Sequence, residues 1–250
     1  MISVVIPARN EAAALSDTLA ALAAVTPPGA AEVVVAVGGS VDDTAALAAR
    51  RARVVHGSEA TRAALLNAGA RAARGDVLLF LHADTWPPPN YVAAIEVSLA
   101  DPDVVGGAFD FEFRERALRL AAISAINRLR CRLTGNFYGD QGIFVRRRVF
   151  EQVGGFPPRA LFEDLIFSQA MRRAGRTVLL RGRRVQTSGR RLLAPDWGHT
   201  LALVTWLLVL HTLGCETDGY AARYHAPRSE ETMQSARAKK AREAGPGASP

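Results

Sequence analysis

The sequence predicts an α/β fold with a mostly parallel central sheet and helices on both of its faces. Short apolar runs of strand length alternate with segments in which leucine or alanine recurs at helical spacing, and short turns separate them. Strand–helix–strand order with short connections is typical of parallel strands that are buried on both faces. A chain of 250 residues with 49% hydrophobic content is long enough to form one sizeable core.

The first hundred residues alternate strictly between strand and helix. Leucines at helical spacing indicate the first helix, and an alanine-rich helix is ended by Gly75, a residue type common just after helices. Ser40 or Asp42 is the expected N-cap of the second helix. We predict strands over residues 2–6, 32–37, 54–55 and 77–81, and helices over residues 11–24, 42–51 and 59–74.

After the three prolines at 87–89 the pattern changes. The segment GGAFDFEF alternates apolar and polar residues, as a half-buried strand does. We predict helices over residues 91–99, 116–133 and 165–174, and strands over 105–113 and 142–145. No linker separates the halves at about 1–100 and 101–226, so residues 1–226 are expected to form a single domain. Residues 227–250 contain almost no large apolar side chain, which predicts a disordered tail.

The net charge indicates the class of binding partner, and the cysteine content indicates the redox compartment. A net charge of +7 and a pI of about 10.2 favour anionic partners: nucleotides, phosphorylated lipids, a membrane surface or nucleic acid. Two distant cysteines, Cys131 and Cys215, indicate neither a disulfide framework nor a zinc site, so a reducing cytosol is expected.

An arginine run and an apolar segment point to a membrane surface. Residues 172–191 contain eight arginines and no acid; most are expected on a solvated face, and some are available to a diphosphate or an anionic lipid. The apolar segment 200–214 is too short for a bilayer span, which takes about 20 residues. It is either a buried core helix or an interfacial helix. This order predicts a cytoplasmic protein that touches the inner membrane surface.

Acidic residues at two places in the sequence are the candidate functional residues. Asp84 closes the buried strand VLLFLHAD, at the position where open α/β sheets bind ligands, and a carboxylate there can hold a metal that holds a diphosphate. Glu163 and Asp164 open a later helix. The alternatives are a turn residue at Asp84 and two ordinary acids stabilised by the helix dipole.

Several segments together resemble family 2 glycosyltransferases of the GT-A fold. SVVIPARNEAAAL resembles that family's first strand and loop, EVVVAVGGSVDDT its second strand and turn, and NAGARAARGDVLLFLHADT the segment that ends in its metal motif. GGF followed by FEDLIFSQAMRRAG resembles its acceptor-side ED motif. The resemblance covers residues 2–175, and the FLHADT and GDQGIF segments are similar to those of a bacterial subgroup.

The resemblance implies a site for a nucleotide-diphosphate sugar. In the family, the loop after the first strand contacts the nucleoside, and the second turn, the alanine-rich helix and the metal motif complete the donor site. Asn10 and Glu11 also suit a helix start, and Arg62 also suits a solvated helix face. The implied donor-binding residues are Pro7, Arg9, Asn10, Glu11, Gly38, Arg62, Asn67, His82, Ala83 and Asp84.

Two positions depart from the family pattern. Val37 stands where the family commonly has an Asp that reads the base, and because valine cannot accept a hydrogen bond the base identity stays open. His82 replaces the first Asp of the DXD motif, and it is either a buried histidine with its own partners or a metal ligand. Asp84 is the expected ligand of Mg²⁺ or Mn²⁺, which bridges to the donor diphosphate.

The resemblance also assigns the acceptor side. An inverting transfer needs a carboxylate that takes the proton of the acceptor hydroxyl. Asp164 matches the family's base, and Glu163 is expected to shape the site or support the base. Asp140 and Gln141 lie in a glycine-flanked loop and are expected to line the acceptor or sugar pocket.

The predicted function is an inverting, metal-dependent glycosyltransferase that moves a sugar from a nucleotide-diphosphate sugar to a hydroxyl acceptor. A lipid or a lipid-linked molecule is one candidate for this acceptor. One alternative is a sugar-phosphate nucleotidyltransferase, whose glycine-rich loop with its lysine should follow Arg9; Asn10 and Glu11 follow instead. The other is a non-enzymatic basic binder of nucleic acid or membrane, but the chain has no aromatic-rich basic motif of the RNA modules. The donor sugar, the acceptor and the oligomeric state are left open.

Overall fold

The computed structural model describes residues 1–57, 61–195 and 197–221. The predicted tail at 227–250 and the predicted helix start at residue 59 lie outside these residues. One compact unit spans Met1–Leu201, and a second begins at Ala202. The expectation of a single domain over residues 1–226 stays a prediction.

Strands and helices alternate along the described chain. The strands are β1 (Ile2–Ala8), β2 (Ala31–Val37), β3 (Arg53–His56), β4 (Val77–Phe80), β5 (Val104–Phe113), β6 (Ile143–Arg146) and β7 (Arg176–Thr187). The helices are α1 (Ala12–Val25), α2 (Thr44–Ala49), α3 (Arg62–Ala72), α4 (Tyr91–Leu99), α5 (Leu118–Thr134), α6 (Arg147–Gln152), α7 (Glu163–Ala174), α8 (Arg190–Leu193) and α9 (Trp197–Thr212). Short 3₁₀ turns lie at Gly139–Gln141 and Asp218–Tyr220.

Within the described residues the strands form one seven-stranded sheet with the order β3-β2-β1-β4-β6-β5-β7. Neighbouring strands are parallel except at β6, which runs antiparallel to both β4 and β5. The predicted α/β fold with a mostly parallel sheet is therefore confirmed. The carboxyl ends of β1, β2 and β4 lie at one edge of the sheet, and the functional residues predicted for the first half follow these ends.

Both faces of the sheet are buried. All seven residues of β1 are buried, and their side chains alternate between two apolar layers because successive strand residues point to opposite faces. Val4 and Ile6 pack in the layer that contains Leu15 of α1, whereas Val5 packs in the layer that contains Leu66 of α3. The continuous apolar runs of the sequence follow from this two-sided burial.

The close approach of α3 to the sheet depends on a glycine. A Cβ atom at Gly69 would lie 2.4 Å from Cγ1 of Val5 on β1. A larger residue at this position would push the helix away from the strand. The helix start with Arg62 and the middle turn with Asn67 are thereby held against the sheet.

Strand β7 was not predicted from the sequence. It pairs in parallel with β5 along most of its length and lies inside the arginine run that we assigned to a solvated face. Arg181, Arg183 and Arg184 are exposed, so the solvated face is present, but it belongs to an edge strand. These charges obscure the apolar alternation that identifies strands, and charged side chains on an edge also discourage pairing with another chain.

The apolar segment near the C-terminus forms helix α9. Leu207 is buried, whereas Trp206 is 44% exposed and Val209 is 49% exposed. Helix α9 therefore has one buried and one exposed apolar side, which separates it from a fully buried core helix. Among the described residues, no helix combines the length and the apolar character needed to cross a membrane.

Candidate active site

The loops after β1 and β2 are fastened to each other at the carboxyl edge of the sheet. The Asn10 N–H donates to Oγ of Ser40 at 3.1 Å, and the Val41 N–H donates to Oδ1 of Asn10 at 2.9 Å. The Glu11 N–H donates to Oγ1 of Thr44 at 3.0 Å. Asn10 adopts a φ of 55°, a conformation that asparagine tolerates better than most residues. These bonds form a fixed loop pair where a nucleoside is expected.

Asp42 fastens the starts of two helices. Its carboxylate accepts hydrogen bonds from the Thr44 N–H and hydroxyl and from the Ala12 N–H. Burial opposes its ionisation, but the hydrogen bonds from Thr44 and Ala12 outweigh burial and lower the pKa of Asp42. The predicted second helix begins two residues later than expected, at Thr44, because Asp42 is part of this loop connection.

The remaining donor-side residues lie around the same loops. Pro7 is buried within β1, and Arg9 is exposed directly after the strand. Gly38 is buried after β2, where its N–H reaches the Ala8 carbonyl at 3.4 Å. Val37 is buried at the end of β2 and presents no polar group to a base. The structure thus brings these predicted residues together, and their contacts with a nucleotide stay predictions.

The segment His82-Ala83-Asp84 follows β4 at the neighbouring strand end. The Ala83 carbonyl accepts a hydrogen bond from Oγ1 of Thr18 at 2.7 Å, which fixes the segment to α1. Asp84 is partly exposed, and its Oδ1 lies 3.5 Å from the Thr85 hydroxyl. The Asp84 carboxylate is therefore held in place while remaining open to a ligand.

Arg62 at the start of α3 connects the metal-motif segment with the start of α7. Its Nε pairs with Oε1 of Glu163, and its guanidinium lies 3.7 Å from Oδ2 of Asp164. Its Nη1 lies 3.3 Å from Nε2 of His82. Burial raises the pKa of Glu163, and the Arg62 guanidinium opposes this rise. The sequence did not predict this ion pair, whose members are far apart along the chain.

The 3₁₀ turn at Gly139–Gln141 closes over Asp164. The Gly139 N–H donates to Oδ2 of Asp164 at 2.6 Å, and the Leu165 N–H donates to Oδ1 at 2.7 Å. A Cβ atom at Gly139 would lie 2.5 Å from Nε2 of His82 and 3.1 Å from Oδ2 of Asp164. A larger residue would force the His82 ring or the turn to shift, so Gly139 is a site residue that the sequence reasoning did not single out.

Asp140 is the most perturbed acid of the site. The residue is partly exposed, but its Oδ1 is buried and has no hydrogen-bond partner among the described residues. Burial raises its pKa to about 7, and the nearby Asp164 and Asp84 carboxylates add to this rise, while Arg130 and Arg62 oppose it. The Asp84 and Asp164 carboxylates therefore both act electrostatically on Asp140.

Gln141 is buried and supports the turn. Its Oε1 accepts the Tyr138 N–H at 3.0 Å, and its Nε2 lies 3.3 Å from the Phe109 carbonyl. The Arg130 guanidinium stacks over the Tyr138 ring, 3.7 Å from its centroid. The amide of Gln141 thus holds the turn against β5, and its place in an acceptor or sugar pocket stays a prediction.

Asn67 fastens a different loop. Its Nδ2 donates to the Phe156 carbonyl at 2.8 Å, and its Oδ1 accepts the Phe156 N–H at 2.9 Å. Both ends of the amide thus hold the loop that leads to α7. Its predicted contact with the donor stays a prediction, and the structure places its hydrogen bonds on Phe156.

The space beside the acids is small. A cavity of about 10 Å³ lies between Arg62, His82, Gly139 and Asp164, above the aromatic layer of the core. This volume suits about one water molecule and is far too small for a sugar ring.

The residues present offer a divalent metal one accessible carboxylate, that of Asp84. No group of three or more His, Cys, Asp or Glu side chains is gathered as a ready metal site within the part of the chain that the structure describes. Asp84 nevertheless offers an accessible carboxylate, and the unpartnered Oδ1 of Asp140 lies in the same region of negative charge. Hard oxygen donors of this kind suit Mg²⁺ or Mn²⁺ when a diphosphate completes the coordination.

A family model described as Glycosyl transferase family 2 matches residues 3–154, which is more than half of the chain. The chain belongs to glycosyl transferase family 2. The matched residues of this family 2 enzyme include both loops, Asp84 and the turn at Gly139–Gln141, and they end before Glu163 and Asp164. No curated protein matches the chain.

Solved glycosyltransferase structures share the fold of this family 2 chain, which is the GT-A fold. Mannosyltransferase PcManGT from Pyrobaculum calidifontis, in complex with GDP-Man and Mn²⁺, is 21% identical with a TM-score of 0.65, covering 99% of this chain and 76% of its own. Glucosyl-3-phosphoglycerate synthase from Mycobacterium tuberculosis, in complex with Mn²⁺ and UDP-glucose, is 19% identical with a TM-score of 0.60, covering 88% and 81%.

A third structure, S. aureus TarS in complex with UDP-GlcNAc, is 16% identical with a TM-score of 0.62 and covers 76% of this chain. The present chain spans only 58% of the length of that TarS chain. At these identities the likeness establishes the fold and does not assign a donor, a metal or an acceptor to this chain.

Proposed function

We propose that this protein is an inverting, metal-dependent glycosyltransferase that moves a sugar from a nucleotide-diphosphate sugar to a hydroxyl acceptor. The observation that carries the proposal is that Arg62 contacts Glu163, Asp164 and His82 while the Gly139 N–H binds Asp164, so that the proposed base adjoins the proposed metal-motif segment. Family membership supports it, as do the similar structures in complex with UDP-GlcNAc, GDP-Man or UDP-glucose.

The fixed loops after β1 and β2 are proposed to hold the nucleoside. Pro7, Arg9, Asn10, Glu11 and Gly38 line or support this edge of the sheet, and their mutual hydrogen bonds hold the loops in one conformation before the donor arrives. Preorganised loops reduce the entropy lost on binding. The base is recognised without a carboxylate at position 37, since Val37 offers no hydrogen-bonding group.

Asp84 is the proposed metal ligand, with the Asp140 carboxylate nearby. When bound, the metal would neutralise the charge that develops on the diphosphate leaving group. His82 is proposed to serve the site through Arg62, because its Nε2 lies 3.3 Å from the guanidinium. Ala83 contributes a fixed backbone next to Asp84.

Asp164 is the proposed general base. The acceptor hydroxyl gives its proton to the Asp164 carboxylate while its oxygen bonds to the anomeric carbon and the bond from that carbon to the diphosphate oxygen breaks. The Gly139 N–H and Arg62 orient this carboxylate, and Glu163 in turn holds Arg62. Asp140 and Gln141 are proposed to border the sugar or acceptor. We further propose a cytoplasmic enzyme at the inner membrane surface that acts on a lipid or lipid-linked acceptor.

Thermal unfolding with nucleotide diphosphates, with and without Mn²⁺, tests the donor side. Asp84→Asn should leave the fold intact and abolish the Mn²⁺-dependent stabilisation, which amounts to about 2.7 kcal/mol at a ligand concentration of 100 Kd. Asp103→Asn, a change at an exposed acid between α4 and β5, is the matched control and should respond like the parent. An unchanged response to Mn²⁺ and nucleotide in Asp84→Asn would refute the metal role.

A further inference from the structure

Helix α5 carries an apolar stripe that faces away from the protein. Leu118 is 93% exposed, Ile126 68%, Leu129 57% and Leu133 78%. Their spacing places them on one face of the helix, and the exposed alanines at 121, 122 and 125 lie on the same face. At 1.5 Å per residue, this face is about 25 Å long. Monomeric proteins rarely expose an apolar surface of this extent without a partner.

Arginines border the stripe. Five arginines and no acid occur between residues 116 and 139. Arg119 bonds to the Leu193 carbonyl, and Arg130 holds Asn127 and the turn after α5. Arg116, Arg128 and Arg132 make no hydrogen bond or ion pair within the described ranges, and Arg128 acts on the nearby Glu112 only by its charge, so these guanidinium groups can reach an anionic surface.

The stripe opens into a groove. A cavity of about 470 Å³ lies between the first half of α5 and the ends of β5 and β7, lined by Leu118, Ala121, Arg116 and Arg128 among others. The two acids at its border already have partners. Glu112 pairs with Arg184 at 3.0 Å and accepts a bond from Gln186, and Glu115 accepts bonds from Ser188 and Gly189. The groove therefore joins apolar lining to cationic groups.

We infer that this face of α5 docks the protein onto an anionic lipid bilayer. An apolar stripe with arginines along its borders and no free acid matches a helix that lies in a membrane interface, where leucine and isoleucine enter the acyl boundary and guanidinium groups reach phosphate. A protein partner would not require this one-sided charge over the whole helix. The inference rests on the membrane-surface part of the proposed function and names the surface responsible.

Docking by α5 has a direct consequence for the site. Helix α5 ends at Gly135 and leads within a few residues into the turn at Gly139–Gln141. Cys131 and Arg130 near its end lie within contact of Gln141. The helix that carries the proposed docking face therefore leads directly into the turn that closes over Asp164.

Flotation of the full chain with vesicles tests the inference. We expect the parent to float with vesicles of phosphatidylcholine and 30% phosphatidylglycerol at low salt, and not with phosphatidylcholine alone. The double variant Ile126→Glu with Leu129→Glu should bind at least tenfold more weakly. Arg128→Gln with Arg132→Gln should bind about thirtyfold more weakly, at about 1 kcal/mol per basic residue near the surface.

A matched control carries the same added charge elsewhere. Val41→Glu with Val97→Glu changes two apolar residues that are 87% and 76% exposed outside α5, and it should float like the parent. Equal flotation of the α5 variants and the parent would overturn the inference while leaving the membrane location standing. If the parent does not float, or floats only when a co-purifying protein is present, both the inference and the membrane location are overturned. Nucleotide binding in the presence of Mn²⁺ tests the sugar-transfer proposal separately from either result.

Discussion

Replacing Asp140 by asparagine should change how the stability of the protein depends on pH. The pKa of Asp140 is raised from 3.8 to about 7 in the folded protein, so between these values the folded state holds a proton that the unfolded chain has released. The free energy of unfolding therefore falls as pH rises from about 4 to about 7. Asparagine has nearly the same shape and cannot ionise, so Asp140→Asn removes this part of the pH dependence.

The size of the effect follows from the pKa difference. A pKa raised from 3.8 to about 7 corresponds to a cost of at most about 4 kcal/mol at pH 8, where the folded protein must hold the charged carboxylate. At pH 4, close to the ordinary pKa of 3.8, the folded carboxyl is protonated and the unfolded one is about half protonated, so most of this cost is absent. Asp140→Asn should thus be close to the parent at pH 4 and more stable at pH 8. For a chain of this length, each kcal/mol moves Tm by about 2–4 °C.

Thermal unfolding of both proteins between pH 4 and pH 8 in metal-free buffer with EDTA measures the effect. Asp17→Asn, at an exposed acid on α1, is the control, and its difference from the parent should not grow with pH. The decisive quantity is the change in the variant-minus-parent Tm across this range. A difference that is the same at pH 4 and pH 8 would show that the Asp140 carboxyl does not carry the raised pKa, and the reasoning would fail.

Two further predictions concern the residues around the proposed base. Asp164→Asn should lower turnover by about 10²–10⁴-fold with donor binding near that of the parent, measured by product formation once an acceptor is known; retained turnover would place the base elsewhere. Gly139→Ala should cost about 1–3 kcal/mol in urea unfolding, because its Cβ would lie 2.5 Å from Nε2 of His82. Gly198→Ala, a helical glycine with open space around its Cβ position, is the control, and an equally small cost at Gly139 would contradict the close approach.

Local patterns in the sequence predicted the mostly parallel sheet, apart from β7, and singled out Asp84. Asp84 was singled out from its place at the end of a buried strand, whereas the proposed role of Asp164 came from the resemblance to family 2, because acids at a helix start are ordinary by themselves. The Arg62–Glu163 pair could not be predicted, because its members are 101 residues apart and only the tertiary fold brings them together. The need for glycine at position 139 likewise depends on the distant His82 side chain.

Strand β7 shows how a run of charged residues can obscure a strand in the sequence. Its pairing with β5 is set by backbone hydrogen bonds, which do not depend on the type of side chain. Its exposed side chains include arginines, a pattern that predicts a solvated segment. Helix α5 gives the opposite case. Its length was predicted within two residues, but the sequence alone did not distinguish its buried face from its exposed apolar face. Periodicity identifies a helix, and only the fold decides which of two apolar faces the core covers.

The charges around Asp140 link its protonation to the binding of a metal. Asp84 and Asp164 both disfavour the ionised form of Asp140, and Arg130 and Arg62 offset burial and these charges only in part. An aspartate at position 82 would place a further negative charge next to Asp164 and the Gly139 turn. His82 avoids that charge and keeps contact with Arg62. A divalent cation beside Asp84 would supply the missing positive charge and favour the ionised form of Asp140, so metal binding and the protonation of this turn should be thermodynamically linked.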